Sequence, residues 1–322
     1  MWKTIYKCDK IVADEVTIQD VLLNNYRMGV RMYYNLHGLL NLAKEQEVPL
    51  WKVILENEMK LSQMTEEEVF ANLSRRYKVM VASSHKAMNQ KLHIEGSLIN
   101  GLAYSQNQYA KQGDTLSGEW LNHVMALALS SSEVNVGMGR VCAAPTAGSC
   151  GILPAVLIGM KEAKNLSERE VLQGLLTASG VGAVVMKNAT VAGAEGGCQA
   201  ECGVAAAMAA AAAVEMSGGS AQMALHAFSL VLINVMGLVC DPIAGLVQVP
   251  CAQRNASQAV NAIICADMAM AGMKCIVPAD EVVEAMYRVG KQLPYELKET
   301  GLGGLAATPT AKTIRERIFG RE

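Results

Sequence analysis

The feature that most constrains the fold is a long, almost uncharged region in the middle of the chain. Residues 204–214 form a tract dominated by alanine, which is the strongest helix former and a poor strand former. Residues 216–240 follow without a single Asp, Glu, Lys or Arg. A helix that is apolar on every side must lie inside a protein or inside a membrane. This region therefore predicts helices that are buried among other helices.

The uncharged region is long enough to span a bilayer, so a membrane helix is the first alternative. It contains Gln222, His226 and Asn234, however, and it is flanked by the acidic residues Glu215 and Asp241. Membrane helices are instead flanked by Lys, Arg and aromatic residues. We therefore predict a fully buried helix at the centre of a large bundle, and no membrane association.

Charge and cysteine content narrow the class of protein further. The 322 residues include 28 Lys plus Arg and 30 Asp plus Glu, a formal net charge of −2, which argues against nucleic-acid binding. The chain begins with a mixed, charged segment and not with an apolar signal sequence. Nine cysteines, an odd number, then indicate a cytoplasmic protein whose thiols stay reduced.

Local signals predict an all-α fold. Capping-box patterns at residues 17–20, 65–68 and 167–170 predict helix starts, and a further helix is predicted to open at Pro278 and to end at Gly290. One short strand is possible within residues 3–16. We expect a single large domain, residues 1–322, with buried Ala/Gly-rich central helices. Its helical N-terminal flank is residues 1–130, and residues 131–322 contain the cysteine-bearing loops.

The first unusual loop precedes an apolar helix that is predicted to begin near Ile152. Thr146, Gly148 and Ser149 supply small polar groups there, immediately after Pro145. Backbone N–H groups at the N-terminus of a helix favour an anion, such as a carboxylate or a phosphate. An ordinary capped turn explains the same spacing equally well.

Two further loops contain cysteines at positions where a thiolate could act. The Gly196-Gly197 turn places Cys198 near the start of the alanine-rich helix, whose positive end favours a thiolate. Cys240 precedes Asp-Pro, and Cys251 follows a proline at the predicted start of the next helix. A loop that ends one helix and another that opens the next could aim the thiolates of Cys240 and Cys251 at a common point. By spacing alone the metal signal is weak, because it matches no common zinc module.

Taken together, four segments resemble the iron–sulfur L-serine dehydratase alpha chain. The resemblance covers most of the chain from about Thr65 onward and is strongest between Ser131 and Gly272. The segments are AAPTAGSCGILP at 143–154, GAEGGCQAECG at 193–203, CDPIAGLVQVPCAQRNA at 240–256 and LKETGLGGLAATP at 297–309.

This resemblance implies a catalytic domain with a [4Fe–4S] cluster that converts L-serine to pyruvate and ammonia. By motif position Cys198, Cys240 and Cys251 become the cluster ligands, and three thiolates leave one iron open to act as a Lewis acid. Thr146, Gly148 and Ser149 become candidates for binding the substrate carboxylate. The remaining cysteines are expected to be structural, except Cys8, which has no assigned role. They are Cys142, Cys150, Cys202, Cys265 and Cys275.

The resemblance leaves the catalytic base unassigned. Some members of the family have a histidine shortly before the Gly-Leu-x-Cys-Asp-Pro motif, whereas this chain has Ile-Asn-Val-Met at 233–236. Single-chain members end with a further cysteine, which this sequence lacks. They also have a separate regulatory domain for which this sequence has no room, so it resembles the alpha chain of the two-chain form. A beta-chain partner, a homo-oligomer or both are implied. The side chains considered as base are His85, His93, His123, Lys187 and Glu195.

Three alternatives remain open on the sequence alone. An iron–sulfur lyase could act on L-cysteine or L-threonine. A pyridoxal-phosphate lyase could use Lys187 as its Schiff base and the Gly196-Gly197 loop for phosphate, giving the same products. The third alternative is a helical scaffold without enzymatic activity.

Overall fold

The computed structural model describes residues 32–320, and those from Tyr34 onward belong to one compact unit. The regular elements within this range are helices, and the one β-type contact there is an isolated parallel bridge between Cys240 and Lys298. The all-α prediction is therefore confirmed. The α-helices are α1 (Leu36–Glu45), α2 (Leu50–Ser62), α3 (Glu66–Lys86), α4 (Leu102–Ala110), α5 (Gly118–Val136), α6 (Ile152–Lys164), α7 (Glu168–Asn188), α8 (Gly193–Gly196), α9 (Val204–Met216), α10 (Ala221–Asn234), α11 (Cys251–Met270), α12 (Ala279–Gln292) and α13 (Pro309–Phe319). A π-helix covers Gln199–Gly203, and 3₁₀ turns cover Ile243–Gly245, Tyr295–Leu297 and Gly304–Ala307.

Helix α9 is the centre of the molecule. It packs against α6, α7, α10 and α11, and every residue from Val204 to Val214 is buried. Alanine side chains are small enough for four neighbouring helices to approach closely, which explains why the most apolar tract of the sequence is also the most enclosed. The prediction of a buried, alanine-rich central helix is confirmed.

The prediction of one fully buried helix across residues 216–240 is wrong. A turn at Ser217–Gly219 separates α9 from α10, and the Ser220 hydroxyl caps α10 by accepting a hydrogen bond from the Met223 N–H. Helix α10 then ends at Asn234, and the preceding residue, Ile233, is 44% exposed. No helix within residues 32–320 combines the length and apolar character needed to cross a membrane.

The local start signals agree with the structure where it describes them. Thr65 with Glu68 and Ser167 with Glu170 form complete capping boxes. Helix α12 follows Pro278 as predicted, but Gly290 lies inside it and does not end it. The composition change near residue 130 falls within α5. The possible strand at 3–16, the capping pattern at 17–20 and Cys8 lie outside the described residues.

Candidate metal centre

Two separate segments bring two thiols and a carboxylate together in the interior. Cys198 immediately precedes the π-helix that leads into α9, and Glu201 lies within that π-helix. Cys240 lies in the loop between α10 and α11. One ligand atom from each of these three buried residues lies within 4.8 Å of the other two.

The loop that carries Cys198 is fixed by a glycine and a buried amide. Gly197 adopts a φ of 76°, and a Cβ there would lie 2.7 Å from the Leu238 carbonyl oxygen, so only glycine fits this turn. Gln199 is fully buried; it donates to the Met286 carbonyl (3.2 Å) and accepts from the Gly237 N–H (2.8 Å). The Cys198 loop is therefore held against α12 and against the loop that carries Cys240. The π-helix that follows is a type of distortion common at functional sites.

The segment between α12 and α13, residues 293–308, reaches the site through Cys240. The Cys240 N–H donates to the Leu297 carbonyl at 2.9 Å, and the Glu299 N–H donates to the Cys240 carbonyl at 2.8 Å. The neighbouring Asp241 carboxylate accepts from the Leu305 N–H at 2.8 Å. These bonds place the Glu299 side chain beside Cys240, although the two residues are distant in the chain.

Cys251 is the first residue of α11, and Asn255 joins this helix start to the Thr146–Ser149 turn. Asn255 is fully buried; its Oδ1 accepts from the Gly151 N–H at 2.9 Å. Its Nδ2 donates to the carbonyls of Gly148 (2.7 Å) and Cys251 (2.9 Å). A single side chain thus holds the Pro145–Gly151 region in a fixed position relative to α11.

The turn itself contacts the buried carboxylate. The Thr146 hydroxyl donates to Glu201 Oε1 at 2.6 Å. The hydroxyls of Thr146 and Ser149 lie 2.9 Å apart, and because the Thr146 proton is directed at Glu201, the Ser149 hydroxyl donates to Thr146. The three residues proposed to bind a carboxylate therefore adjoin the thiol site, since Gly148 also packs against Glu201.

Among the thiols of the site, Cys198 is the one whose pKa is lowered. Hydrogen bonds from Cys202 and Cys240, followed by the charge and hydrogen bond of Arg254, lower the pKa of Cys198 despite its burial. The same bonds, together with burial, raise the pKa values of Cys202 and Cys240. The thiolate form is therefore favoured at Cys198 and the protonated thiol at its two neighbours.

Arg254 connects that thiolate to the neighbouring loop. Its Nη1 lies 3.3 Å from Cys198 Sγ and donates to the Val239 carbonyl at 2.8 Å, while its Nη2 donates to Asp241 at 2.9 Å. The Asp241 side chain is only 5% exposed, so this is a buried ion pair. The guanidinium neutralises charge on both sides of the site.

The two carboxyl groups at the site hold their protons more tightly than usual. Burial, and then the negative charges of Cys198 and Glu299, raise the pKa of Glu201 to about 7, although the bond from Thr146 opposes the shift. Burial and the charge of Cys198 also raise the pKa of Glu299. Both shifts reflect an excess of negative groups in a water-poor environment.

The structure brings together two of the three predicted cluster ligands. Cys198 and Cys240 are neighbours, whereas Cys251 lies outside the group of atoms within 4.8 Å. Cys251 is nevertheless close enough for the charge of Cys198 to raise its pKa, after burial as the larger cause. Cys202 is buried, as expected of a structural cysteine, but its thiol also hydrogen-bonds to Cys198.

The side chains considered as catalytic base lie elsewhere. His85 and His123 both contact the Glu162 carboxylate, at 3.2 and 2.6 Å. His93 and Glu195 are exposed. Within residues 32–320, none of these four hydrogen-bonds to Cys198 or Cys240.

Lys187 lies on an exposed position of α7, and its ammonium group is 4.4 Å from the ring centre of Tyr34. A lysine that forms a Schiff base instead sits in an enclosed pocket that holds its cofactor. This position gives no support to the pyridoxal-phosphate alternative.

Sequence reasoning missed three polar residues of the site: Glu201, Arg254 and Glu299. Arg254 follows Cys251 by three residues on one helix, so their shared face could have been predicted from the helical period. Glu201 lies between two cysteines but was given no role. Nothing local connects Glu299 to the site, because its position depends on backbone bonds to Cys240.

Three polar atoms of the site pack closely against Gly193. A Cβ at Gly193 would lie 3.1 Å from Glu201 Oε2, 3.2 Å from Cys240 Sγ and 3.3 Å from Glu299 Oε2. A side chain at this position would crowd all three atoms, so glycine lets them approach the backbone closely. Buried thiolates from separate loops are the donors that iron–sulfur clusters use, so the residues present fit such a group.

Comparison with known proteins gives a consistent result. A family model described as "Serine dehydratase alpha chain" matches residues 45–306. The chain is 50% identical over 284 residues to the L-serine dehydratase alpha chain of Peptoniphilus asaccharolyticus, covering 88% of this chain and 97% of that protein.

Two other relatives differ in length. The probable L-serine dehydratase alpha chain of Bacillus subtilis is 43% identical over 289 residues, which cover 90% of this chain and 96% of that protein. L-serine dehydratase TdcG of Escherichia coli is 36% identical over 282 residues, which cover 85% of this chain but only 62% of that longer protein.

Proposed function

The chain belongs to the serine dehydratase alpha-chain family, and from that premise we propose that it removes water from L-serine to give pyruvate and ammonia. Relatives named as L-serine dehydratase alpha chains match it over nearly their whole length. The observation that carries the proposal is the buried convergence of Cys198, Glu201 and Cys240. These residues come from two segments that resemble the family.

The proposed cofactor is a [4Fe–4S] cluster held by Cys198, Cys240 and Cys251. All three cysteines are at most 5% exposed, and three thiolates would leave one iron of the cluster open. When bound, the cluster would supply Lewis-acid stabilisation of the departing hydroxyl group, which is a poor leaving group. Cys202 hydrogen-bonds to Cys198 and is not assigned as a ligand.

The residues of the chain orient the substrate and exclude water. Thr146, Gly148 and Ser149 are proposed to bind the serine carboxylate, because their turn precedes α6 and adjoins the thiol site through Glu201. Asn255 keeps this turn rigid relative to Cys251. Burial of the site limits access of bulk water, which strengthens each electrostatic contact within it.

The proposed partner is a beta chain. The most similar relatives quoted above are named as alpha chains, and the chain corresponds to only 62% of the longer E. coli relative. The remaining part of the longer proteins is the kind of unit that a separate chain would supply; a homo-oligomer is the other assembly expected. The cytoplasm remains the expected location, because the site depends on reduced thiols.

The test is pyruvate formation by protein isolated anaerobically with any chain that co-purifies. L-serine, L-threonine and L-cysteine are compared, and iron and sulfide are measured on the same samples. We expect activity with L-serine that is lost in air together with a broad absorption near ~400 nm, and that returns with iron and reductant. Full activity of iron-free, air-exposed protein would remove the cluster from the proposal. A preference for L-threonine or L-cysteine would show that the proposed substrate is wrong.

A further inference from the structure

A cavity of about 260 Å³ lies between helices α1 and α10 and residues 275–280, which lead into α12. All of its lining residues belong to the compact unit that begins at Tyr34. None of them belongs to the thiol site or to the Thr146–Ser149 turn. The cavity lines the first half of α10, whereas the Cys240 loop follows the other end of that helix. Gln222 in the cavity and Asn234 at that end are about 18 Å apart along the helix axis.

The charges around the cavity favour an anion. Burial, and then the charges of Lys274 and Lys44, lower the pKa of His226, so its ring is neutral at pH 7. Asp280 also lines the cavity, but its carboxylate accepts from two backbone N–H groups at the start of α1, at 2.8 Å each. Two ammonium groups against one carboxylate leave an excess of positive charge among these groups.

Three polar side chains form a hydrogen-bonded chain in the cavity wall. Lys44 Nζ donates to Gln222 Oε1 at 2.8 Å, and Gln222 Nε2 lies 3.4 Å from His226 Nε2. Because an amide N–H only donates, His226 Nε2 accepts, and the neutral ring carries its proton on Nδ1. Within residues 32–320, no group hydrogen-bonds to His226 Nδ1. That N–H and the remaining N–H groups of Lys44 are available to a ligand that accepts hydrogen bonds.

The rest of the lining is largely apolar. Leu40 and Leu225 are 6% and 4% exposed and form the inner wall, and Ile276, which is 96% exposed, adds apolar surface outside them. Sites for small molecules combine such a lining with a few placed polar groups. An inorganic anion would leave the apolar wall in contact with water, whereas a short hydrocarbon chain would cover it.

We propose that this cavity binds a short aliphatic monocarboxylate. Its carboxylate accepts hydrogen bonds from Lys44 and His226, and its hydrocarbon part packs against Leu40 and Leu225. This is a second small-molecule site, and it stands independently of the proposed function, since it uses none of the residues assigned to the reaction.

Cys275 provides a local reporter for occupancy, because it lines the cavity and is half-buried. The rate at which N-ethylmaleimide modifies Cys275 is measured by mass spectrometry of its peptide. The protein is isolated anaerobically with any chain that co-purifies, and ionic strength is kept constant. We expect butyrate to slow the modification severalfold and in a saturable way. At equal concentration, butyramide, which lacks the charge, and inorganic phosphate, which lacks the hydrocarbon chain, should have less effect.

Two variants test the polar groups. In Lys44→Gln the concentration of butyrate that gives half of the effect should rise about two- to fivefold, since Lys44 is exposed. In His226→Leu it should rise roughly tenfold, because a hydrogen bond to a charged partner is lost. Lys60→Gln, at an exposed position on α2, should match the wild type. Lys44→Gln changes only the surface, so it keeps the test valid if His226→Leu does not fold.

The possible results separate clearly. Modification that butyrate does not slow, or that butyramide slows equally, would overturn the site. Phosphate that protects as well as butyrate would also overturn it, because the hydrocarbon part would then have no role. Butyrate protection that is unchanged in both variants would overturn the assignment of Lys44 and His226. Pyruvate formation is not part of this readout, so failure of the proposed function would leave these results as they are.

Discussion

At the scale of single residues, Arg254 places a positive charge beside the thiol site. Its guanidinium bonds to the Cys198 thiolate, the Val239 carbonyl and the Asp241 carboxylate at once. The planar, permanently charged fork of arginine suits this arrangement, whereas lysine would offer only a point charge. Hydrogen bonds to a sulfur ligand also influence the properties of an iron–sulfur cluster.

Arg254→Gln should therefore weaken both the site and the fold. Removing one partner of a buried ion pair leaves Asp241 uncompensated, at a cost of about 3–5 kcal/mol in the free energy of unfolding. The Cys198 thiolate loses its nearest cation, so we expect less iron per chain. The iron content and the stability of Arg254→Lys should lie between those of the wild type and those of Arg254→Gln. Iron analysis and thermal unfolding check this; wild-type iron content in Arg254→Gln would contradict it.

Thr146 and Ser149 allow a test of the proposed carboxylate site. Thr146→Val and Ser149→Ala each remove a hydroxyl that hydrogen-bonds within the turn. A bond lost to a charged partner costs about 1.5–3 kcal/mol, so KM for L-serine should rise roughly ten- to a hundredfold. If the interaction tightens in the transition state, kcat should fall too.

Iron content should stay at the wild-type level in both variants, because neither residue is a cluster ligand. Ser257→Ala, at an exposed position on α11, is the matched control. Steady-state pyruvate formation is measured beside an iron assay on the same samples. Unchanged L-serine kinetics in both variants would leave the turn as an ordinary helix start.

At the scale of secondary-structure elements, Glu162 joins three helices. It lies on α6 and contacts His123 of α5 and His85 of α3. Hydrogen bonds from His123 and then His85 lower the pKa of Glu162 to about 2. The bond with Glu162 raises the pKa of His85 above its ordinary 6.5.

The sign of the pH dependence follows from these two shifts. The lowered pKa of Glu162 stabilises the fold above its ordinary 4.5, and this contribution is lost as the pH falls toward 2. The raised pKa of His85 stabilises the fold below 6.5, and this contribution is lost as the pH rises through the raised value. Both contributions are present together between 4.5 and 6.5.

Glu162→Gln should thus be most destabilising at about pH 5.5. The side chains of His85 and Glu162 are 38% and 42% exposed. We therefore expect a loss of only about 0.5–1 kcal/mol in the free energy of unfolding at that pH. The second condition, about pH 8.5, lies further along the rise through the raised pKa of His85, so the difference from the wild type should be smaller there. Denaturant unfolding at both pH values measures the difference in the free energy of unfolding. The control is Glu58→Gln, at an exposed position on α2. An equal difference at both pH values would contradict the mechanism.

At the scale of the whole molecule, the sequence predicted features that depend on local chemistry. The alanine tract had to be a buried helix, the capping boxes at Thr65 and Ser167 had to start helices, and Cys251 had to open one. These features follow from propensity, from side-chain oxygens and from proline, each acting within a few residues.

The features that the sequence did not predict depend on contacts between distant segments. The position of Glu299 requires the backbone bonds to Cys240, and the role of Arg254 requires Asp241 and Cys198 to be neighbours. The break between α9 and α10 also escaped prediction, because an uncharged run gives no sign of where a buried helix ends. The site thus depends on contacts between segments that are far apart in the chain.

The central claim is that Cys198, Cys240 and Cys251 hold an iron–sulfur cluster. The most direct measurement is iron and sulfide per chain in anaerobically purified protein, compared with single Cys→Ser variants at these positions and at Cys202. We predict about four irons in the wild type, loss of most iron in each of the three ligand variants, and retention in Cys202→Ser with a stability loss of about 1 kcal/mol. Iron that is lost in Cys202→Ser but held in Cys240→Ser, or a wild-type protein that converts L-serine without iron, would contradict the claim.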